Sequence, residues 1–220
     1  MSIAWRLVVA CLAAALLFPV KVWAASPQEV LDSYVDKVLA TFEEYEDADL
    51  DSPQEKEAFR EDLSSLAGEV FAYEIMTRMS LGHFWNDFSP QQQQELVELF
   101  VEQVESYYFG QLIGFFDEVT EYSRDMIALQ EGEVLSANRA EVRSIIRFRD
   151  QRVPVDYRLV SRSDEQWKIY DIVVEGISLI QNYRSQFQDL MRRKSPEELL
   201  QMLRERDLEE EEDLELAPSQ

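Results

Sequence analysis

The sequence predicts an α+β fold in a single domain, with helices packed on a small four-stranded antiparallel sheet. Three observations predict it. A serine–proline pair with Glu or Gln three residues after the serine recurs four times, each time ahead of a helical pattern. The periodicity then changes near residue 124, where isoleucine, valine, tyrosine and arginine alternate between turn signals. Helical patterning returns after Gly176, so the late helices must pack back on the sheet.

The pairs are Ser26-Pro27, Ser52-Pro53, Ser89-Pro90 and Ser195-Pro196, with Glu29, Glu55, Gln92 and Glu198 at the third helical position. A serine N-cap accepts from the N3 amide, and the N3 side chain reaches back to the N-cap amide. Proline at N1 loses nothing there, because its missing amide would have had no partner. The first helix is predicted from Pro27 to Tyr45, with Val30, Tyr34, Val38, Leu39 and Phe42 on its apolar face. The second runs from Pro53 to Ser80 and is expected to break near Gly68. The third, Pro90 to Glu118, repeats large apolar residues every four positions and broadens the stripe with Val97, Val101 and Tyr107, which is wider than a surface helix needs. Its Gly110 and Gly114 each cost about 1 kcal/mol against alanine, so they serve either close helix contact or room for a ligand.

Four strands follow: Met126–Val134, Val142–Arg149, Val153–Ser161 and Trp167–Val174. Asp150-Gln151 and Ser163-Asp164-Glu165 are the turns of an antiparallel meander. Gly176 is expected to end the sheet, with helices at Ile177–Arg193 and Pro196–Arg206 beyond it.

Residues 1–24 read as an export signal: Arg6 is the positive start, Leu7 to Val20 the apolar run, and Val22-Trp23-Ala24 the site of cleavage after Ala24. Pro19 and Lys21 interrupt that run, which leaves it short for a membrane span. Cys11 stands at the start of the apolar run and not after it, which argues against lipidation. Residues 25–206 form the predicted domain, and the acidic stretch 207–220 is expected to be a disordered tail.

Cleavage removes the only cysteine and leaves one histidine, His83. That excludes disulfides, cysteine nucleophiles, cysteine-containing metal sites and any site with two histidines. The glycines build no phosphate loop. His83, among Leu81, Phe84 and Trp85, reads as a packed helix-end residue. No metal and no cofactor are expected. With 44 Asp+Glu against 21 Lys+Arg and a net charge of -23, the chain should repel nucleic acid. Asp171 sits inside the apolar strand Ile169–Val174 and needs a partner, expected to be an arginine of a neighbouring strand. A tuned general base is the sharper alternative there, in an enzyme acting on an apolar small molecule with Asp171 or Tyr170 as acid or base.

The segment Trp167-Lys168-Ile169-Tyr170-Asp171-Ile172-Val173-Val174-Glu175-Gly176-Ile177-Ser178-Leu179-Ile180, followed by Tyr183-Arg184 and Phe187, resembles a signature of the MlaC family. Met79-Ser80-Leu81-Gly82-His83-Phe84-Trp85, followed by Ser89-Pro90-Gln91-Gln92, resembles its second landmark. These are periplasmic phospholipid-binding proteins of the Mla system, which maintains lipid asymmetry, and are also known as the toluene-tolerance family. The resemblance implies a curved antiparallel sheet, NTF2-like in part, that takes acyl chains between sheet and helices. It implies a non-enzymatic, monomeric carrier with a phospholipid as cargo. Its partners would be an inner-membrane ABC transporter with an MCE ring and an outer-membrane lipoprotein–porin complex. A related branch accompanies hopanoid biosynthesis, so the lipid class stays open, and the acidic charge and tail depart from the family pattern.

The expected lipid-binding residues are Leu81, Trp85, Phe100, Val104, Tyr108, Leu112 and Phe116 from the helices. The sheet adds Ile146, Phe148, Val155, Tyr157, Ile169 and Ile172, and the following helix Ile177 and Ile180. Arg147, Arg149 and Arg152 are candidates for headgroup contacts. An ordinary filled core is the alternative use of the same apolar surplus.

Overall fold

The structure is a computed structural model and describes residues 25–50, 52–118, 124–148, 151–162 and 166–205. The expected signal peptide and acidic tail lie outside the described residues, as do the side chains of residues 111–118 and 148. Helices α1 (Pro27–Glu44), α2 (Pro53–Val70), α3 (Tyr73–Leu81) and α4 (Pro90–Glu118) come first, with a 3-10 turn at Gly82–Asp87 before α4. Strands β1 (Ile127–Leu129), β2 (Glu133–Ser136), β3 (Arg139–Phe148), β4 (Gln151–Val160), β5 (Lys168–Val174) and β6 (Ile177–Ser178) follow, then α5 (Leu179–Met191) and α6 (Pro196–Glu205).

The serine caps form as the local chemistry dictates. Ser26 donates its amide to Glu29 Oε2 at 2.7 Å and accepts from the Glu29 amide at 3.2 Å. Ser89 and Gln92 repeat this at 3.0 and 3.3 Å, and Ser195 and Glu198 at 2.8 and 3.4 Å. Ser52 departs: its hydroxyl donates to Gln54 Oε1 at 3.2 Å and does not cap the helix, and the Glu55 carboxylate accepts the Asp49 amide and not that of Ser52.

The second predicted helix breaks at Phe71 and Ala72, not near Gly68, which stays helical. The break is a tertiary event. Phe71 bridges to Ile169, and the Ala72 amide donates to the Ile169 carbonyl at 2.8 Å, so sheet pairing claims backbone that a continuous helix would use.

Among the described residues the sheet has six strands in the order β1-β3-β4-β5-β6, with β2 also on β3, and its pairs are antiparallel. The meander stands as predicted, with two corrections to the count. The first predicted strand divides into β1 and β2, both paired to the long β3. Gly176 does not end the sheet. With Glu175 (φ 50) it forms a two-residue turn of positive φ (Gly176 φ 85) that folds β6 back on β5. The helix therefore starts at Leu179, capped by Ser178, and not at Ile177.

Alternation gives the sheet two faces. Leu159 pairs with Ile169 but Arg158 pairs with Asp171, so Tyr170 is an extra residue on β5. The bulge places Ile169 and Ile172 together on the inner face, and Tyr170 and Asp171 on the outer. Leu31 of α1 and Val70 of α2 cover Val142, Leu159 and Ile169 on the inner face. Helix α5 packs against the outer side of β5, where Tyr170 meets the main helical cluster. That cluster joins α3, the first half of α4, α5 and α6 around Phe100, Phe187, Leu96 and Leu199, all fully buried. Each such side chain contributes roughly 1.5–3 kcal/mol by leaving water. A third cluster, Phe42, Leu50, Phe59 and Leu63, ties α1 to α2, with Phe109 of α4 against it.

Candidate functional site

The inner face of the sheet is apolar apart from Ser144 and Tyr157 and is covered only in part. At one end Ala140, Val142, Leu159 and Ile169 are sealed. Toward the other end cover is lost: Ile146, Val153 and Ile172 are half-buried, Val174 is 38% exposed and Ile177 is 48% exposed. The register makes these one surface. Ile127 pairs with Ile146, Ile146 with Val153, Val155 with Val174, and Val174 with Ile177. A contiguous apolar surface left open is costly unless something apolar meets it.

Tyr34 on α1 and Tyr157 on β4 stand at this surface with Tyr73 of α3 near Tyr34, while Tyr108 on α4 packs against the main helical cluster. Each keeps part of its surface accessible. Yet burial pushes the phenol pKa of each well above the ordinary value, the charged form being poorly solvated there. Each ring is thus largely desolvated by its neighbours while part of its surface stays accessible. Glu105 of α4 lies in the same region. It accepts from Ser64 Oγ at 2.7 Å and from Tyr73 Oη at 2.8 Å. Phe71 holds the tyrosines in place, stacked on Tyr73 at 5.6 Å and edge-on to Tyr34 at 6.3 Å.

The structure divides the expected lipid-binding residues into groups. Val155, Tyr157, Ile169, Ile172 and Ile146 share the inner face, and Ile177 extends it at the open edge. Leu81, Trp85, Phe100, Val104 and Ile180 come together in the main helical cluster, with Tyr108 packed at its side. The side chains of Leu112, Phe116 and Phe148 lie outside the described residues. The arginine candidates divide as well: Arg147 and Arg152 are exposed cross-strand neighbours on the outer face, and Arg149 lies outside the described residues. A side chain added at Gly110 would meet nothing within 4 Å, so this glycine does not serve close helix contact. Sequence reasoning missed Tyr73, Glu105 and Ser64. Glu105 is one carboxylate among many on an acidic chain, and only the fold turns it inward.

Asp171 finds its arginine: Arg158 Nη1 on β4 donates to Oδ2 at 2.9 Å. Ser178 Oγ donates to the same oxygen at 2.7 Å, and the Ile180 amide to Oδ1 at 3.1 Å. Three donors on one buried carboxylate make it a joint between β4, β5, β6 and α5. His83 is exposed in the 3-10 turn and is not a packed residue, its ring tilted against Phe84 with centroids 4.0 Å apart. Among the described residues no group of three His, Cys, Asp or Glu is arranged to hold a metal, and no helix is long and apolar enough to cross a membrane.

No curated protein matches the chain. A solved structure of the phospholipid-binding protein from Ralstonia solanacearum, in complex with a phospholipid, is similar to it at 25% identity. The similarity spans 84% of this chain and 98% of that one, with a TM-score of 0.68. The family profile described as MlaC protein matches residues 33–205, most of the chain and nearly all the elements above, and the chain therefore belongs to the MlaC family.

Proposed function

We propose that this protein is a phospholipid carrier that shields acyl chains between the open half of its inner sheet face and the helices. The observation that carries the reading is the apolar surface from Ile127 to Ile177, whose Val174 and Ile177 stay exposed while the far end is sealed. The Ralstonia solanacearum protein of similar fold holds a phospholipid, which supports the same cargo here. An acyl chain in water costs about 0.8 kcal/mol per methylene, so two ordinary chains cost on the order of 20 kcal/mol. A lipid crosses an aqueous compartment only when shielded. A bilayer shields it equally well, so exchange is near balance and direction comes from docked partners.

The carrier works without covalent chemistry, cofactor or metal. It acts as an exported periplasmic monomer. It passes lipid between an inner-membrane ABC transporter with an MCE ring and an outer-membrane lipoprotein–porin complex, and so maintains outer-membrane lipid asymmetry. Native mass spectrometry of the purified protein tests the binding step. A co-purifying phospholipid mass is expected. A well-folded protein that stays lipid-free after incubation with phospholipid vesicles would overturn the reading.

A further inference from the structure

Along β5 and β6 burial of the inner face rises in steps: Val174 and Ile177 stand at the open edge and Ile172 is half-buried, while Ile169 is sealed. On β4 Val153 and Tyr157 are half-buried, Val155 between them is already buried, and Leu159 is fully sealed under α1 and α2, so the accessible approach to Tyr157 runs over Ile172 and not over Val155. Tyr157 is the last half-buried inner-face residue of β4 before the packed core. Its cross-strand neighbours are Val142, which is sealed, and Ile172, which is not.

Polar groups gather at this boundary, with buried Ser144 on the neighbouring rung donating to the Val155 carbonyl at 3.2 Å. Tyr34 packs in the same cluster as Tyr157 and lies within electrostatic reach of both Tyr157 and Glu105. Glu105 commits both oxygens, one to Ser64 and one to Tyr73. A hydrocarbon terminus advancing over Ile177, Val174 and Ile172 passes apolar side chains until it arrives here. Further advance would strip these groups of polar neighbours without replacing a hydrogen bond, and behind them the core has no room.

We infer that Tyr157, backed by Tyr34, Tyr73 and Glu105, is the floor at which the acyl chains of a bound lipid stop, and that this floor sets the chain length the protein accepts. The inference rests on the carrier reading and adds a specificity-determining residue to it.

Two measurements test it. The wild-type protein is loaded with a phosphatidylglycerol bearing a diazirine at the acyl terminus, irradiated, digested and mapped by mass spectrometry. Adducts on Tyr157, Tyr34 and Ile172 are expected. Adducts confined to Val174, Ile177 and other open-edge positions, with none at the tyrosines, would overturn the floor while leaving the carrier intact. In the second measurement, wild type and Tyr157→Ala compete for saturated diacyl phosphatidylglycerols differing by two carbons, read by native mass spectrometry. The variant's preference for the next longer chain should rise about tenfold, the worth of two more buried methylenes. A folded variant with the wild-type preference overturns the inference. If the variant does not fold, the wild-type crosslinking decides alone. A wild type that takes up no lipid at all overturns the carrier reading itself.

Discussion

The hydroxyl of Ser178 does two tasks at once: it donates to Asp171 at 2.7 Å and accepts the Gln181 amide at 3.1 Å, capping α5. One side chain thus couples the strand carboxylate to the helix start. Arg158 and the Ile180 amide complete the joint. Asp171→Ala should destabilise the protein by about 2–3 kcal/mol. That is less than for a fully buried pair, since Arg158 reaches solvent and can hydrate once freed. Urea unfolding checks the figure. The folded fraction of Asp171→Asn should carry as much lipid as wild type, which an acid or base in catalysis would not require.

Tyr108 is half-buried beside the main helical cluster, with its ring edge-on to Tyr107 at 5.0 Å. On the carrier reading Tyr108→Glu should lower co-purifying lipid severalfold, because a carboxylate among acyl chains disfavours hydrocarbon there. Tyr108→Phe should retain it. Far-UV circular dichroism of both variants separates lost lipid from lost fold.

Alkaline pH should unfold the protein early. Tyr34, Tyr73, Tyr108 and Tyr157 all titrate above their ordinary value near 10 because burial disfavours the phenolate. Above pH 10 the unfolded chain releases those protons and the folded chain keeps them, so stability falls as pH rises. The stabilisation is complete below pH 10 and disappears toward the higher folded values. Thermal unfolding between pH 7 and 11 should show a flat region and then a decline. Phenolate absorbance should lag behind that of free tyrosine until the protein unfolds.

Two glycines should respond in opposite directions. Gly110 sits in α4 with open space around it, so Gly110→Ala should stabilise by about 0.5–1 kcal/mol through helix propensity and leave lipid content unchanged. Gly82 has φ +59, and an added Cβ would lie 3.0 Å from the Arg184 guanidinium. Gly82→Ala should cost about 1–2 kcal/mol from the backbone alone. Guanidinium melts of the two variants check both signs.

What could be read from the sequence was local. The helix starts at Pro27, Pro90 and Pro196 follow from three-residue chemistry, and the structure carries the reciprocal bonds. Asp171 announced its need for a partner because it interrupts an apolar run. What escaped was set by partners distant in sequence. The helix break at Phe71 depends on Ile169, nearly a hundred residues later. Strand β6 depends on the positive φ of Glu175, a residue that rarely adopts it. The bulge at Tyr170 shifts the alternation on β5, so strict period-two reading assigns Ile169 and Ile172 to opposite faces when they share one. Glu105 gives no sign of its inward turn in a chain with 44 acidic residues.

The main helical cluster closes on itself, from α3 through α4, α5 and α6, and asks little of the inner sheet face. The helices thus carry a core of their own, and the exposed inner-face residues Val174 and Ile177 are released from the task of holding the chain together. Substitutions there can change that surface without melting the fold.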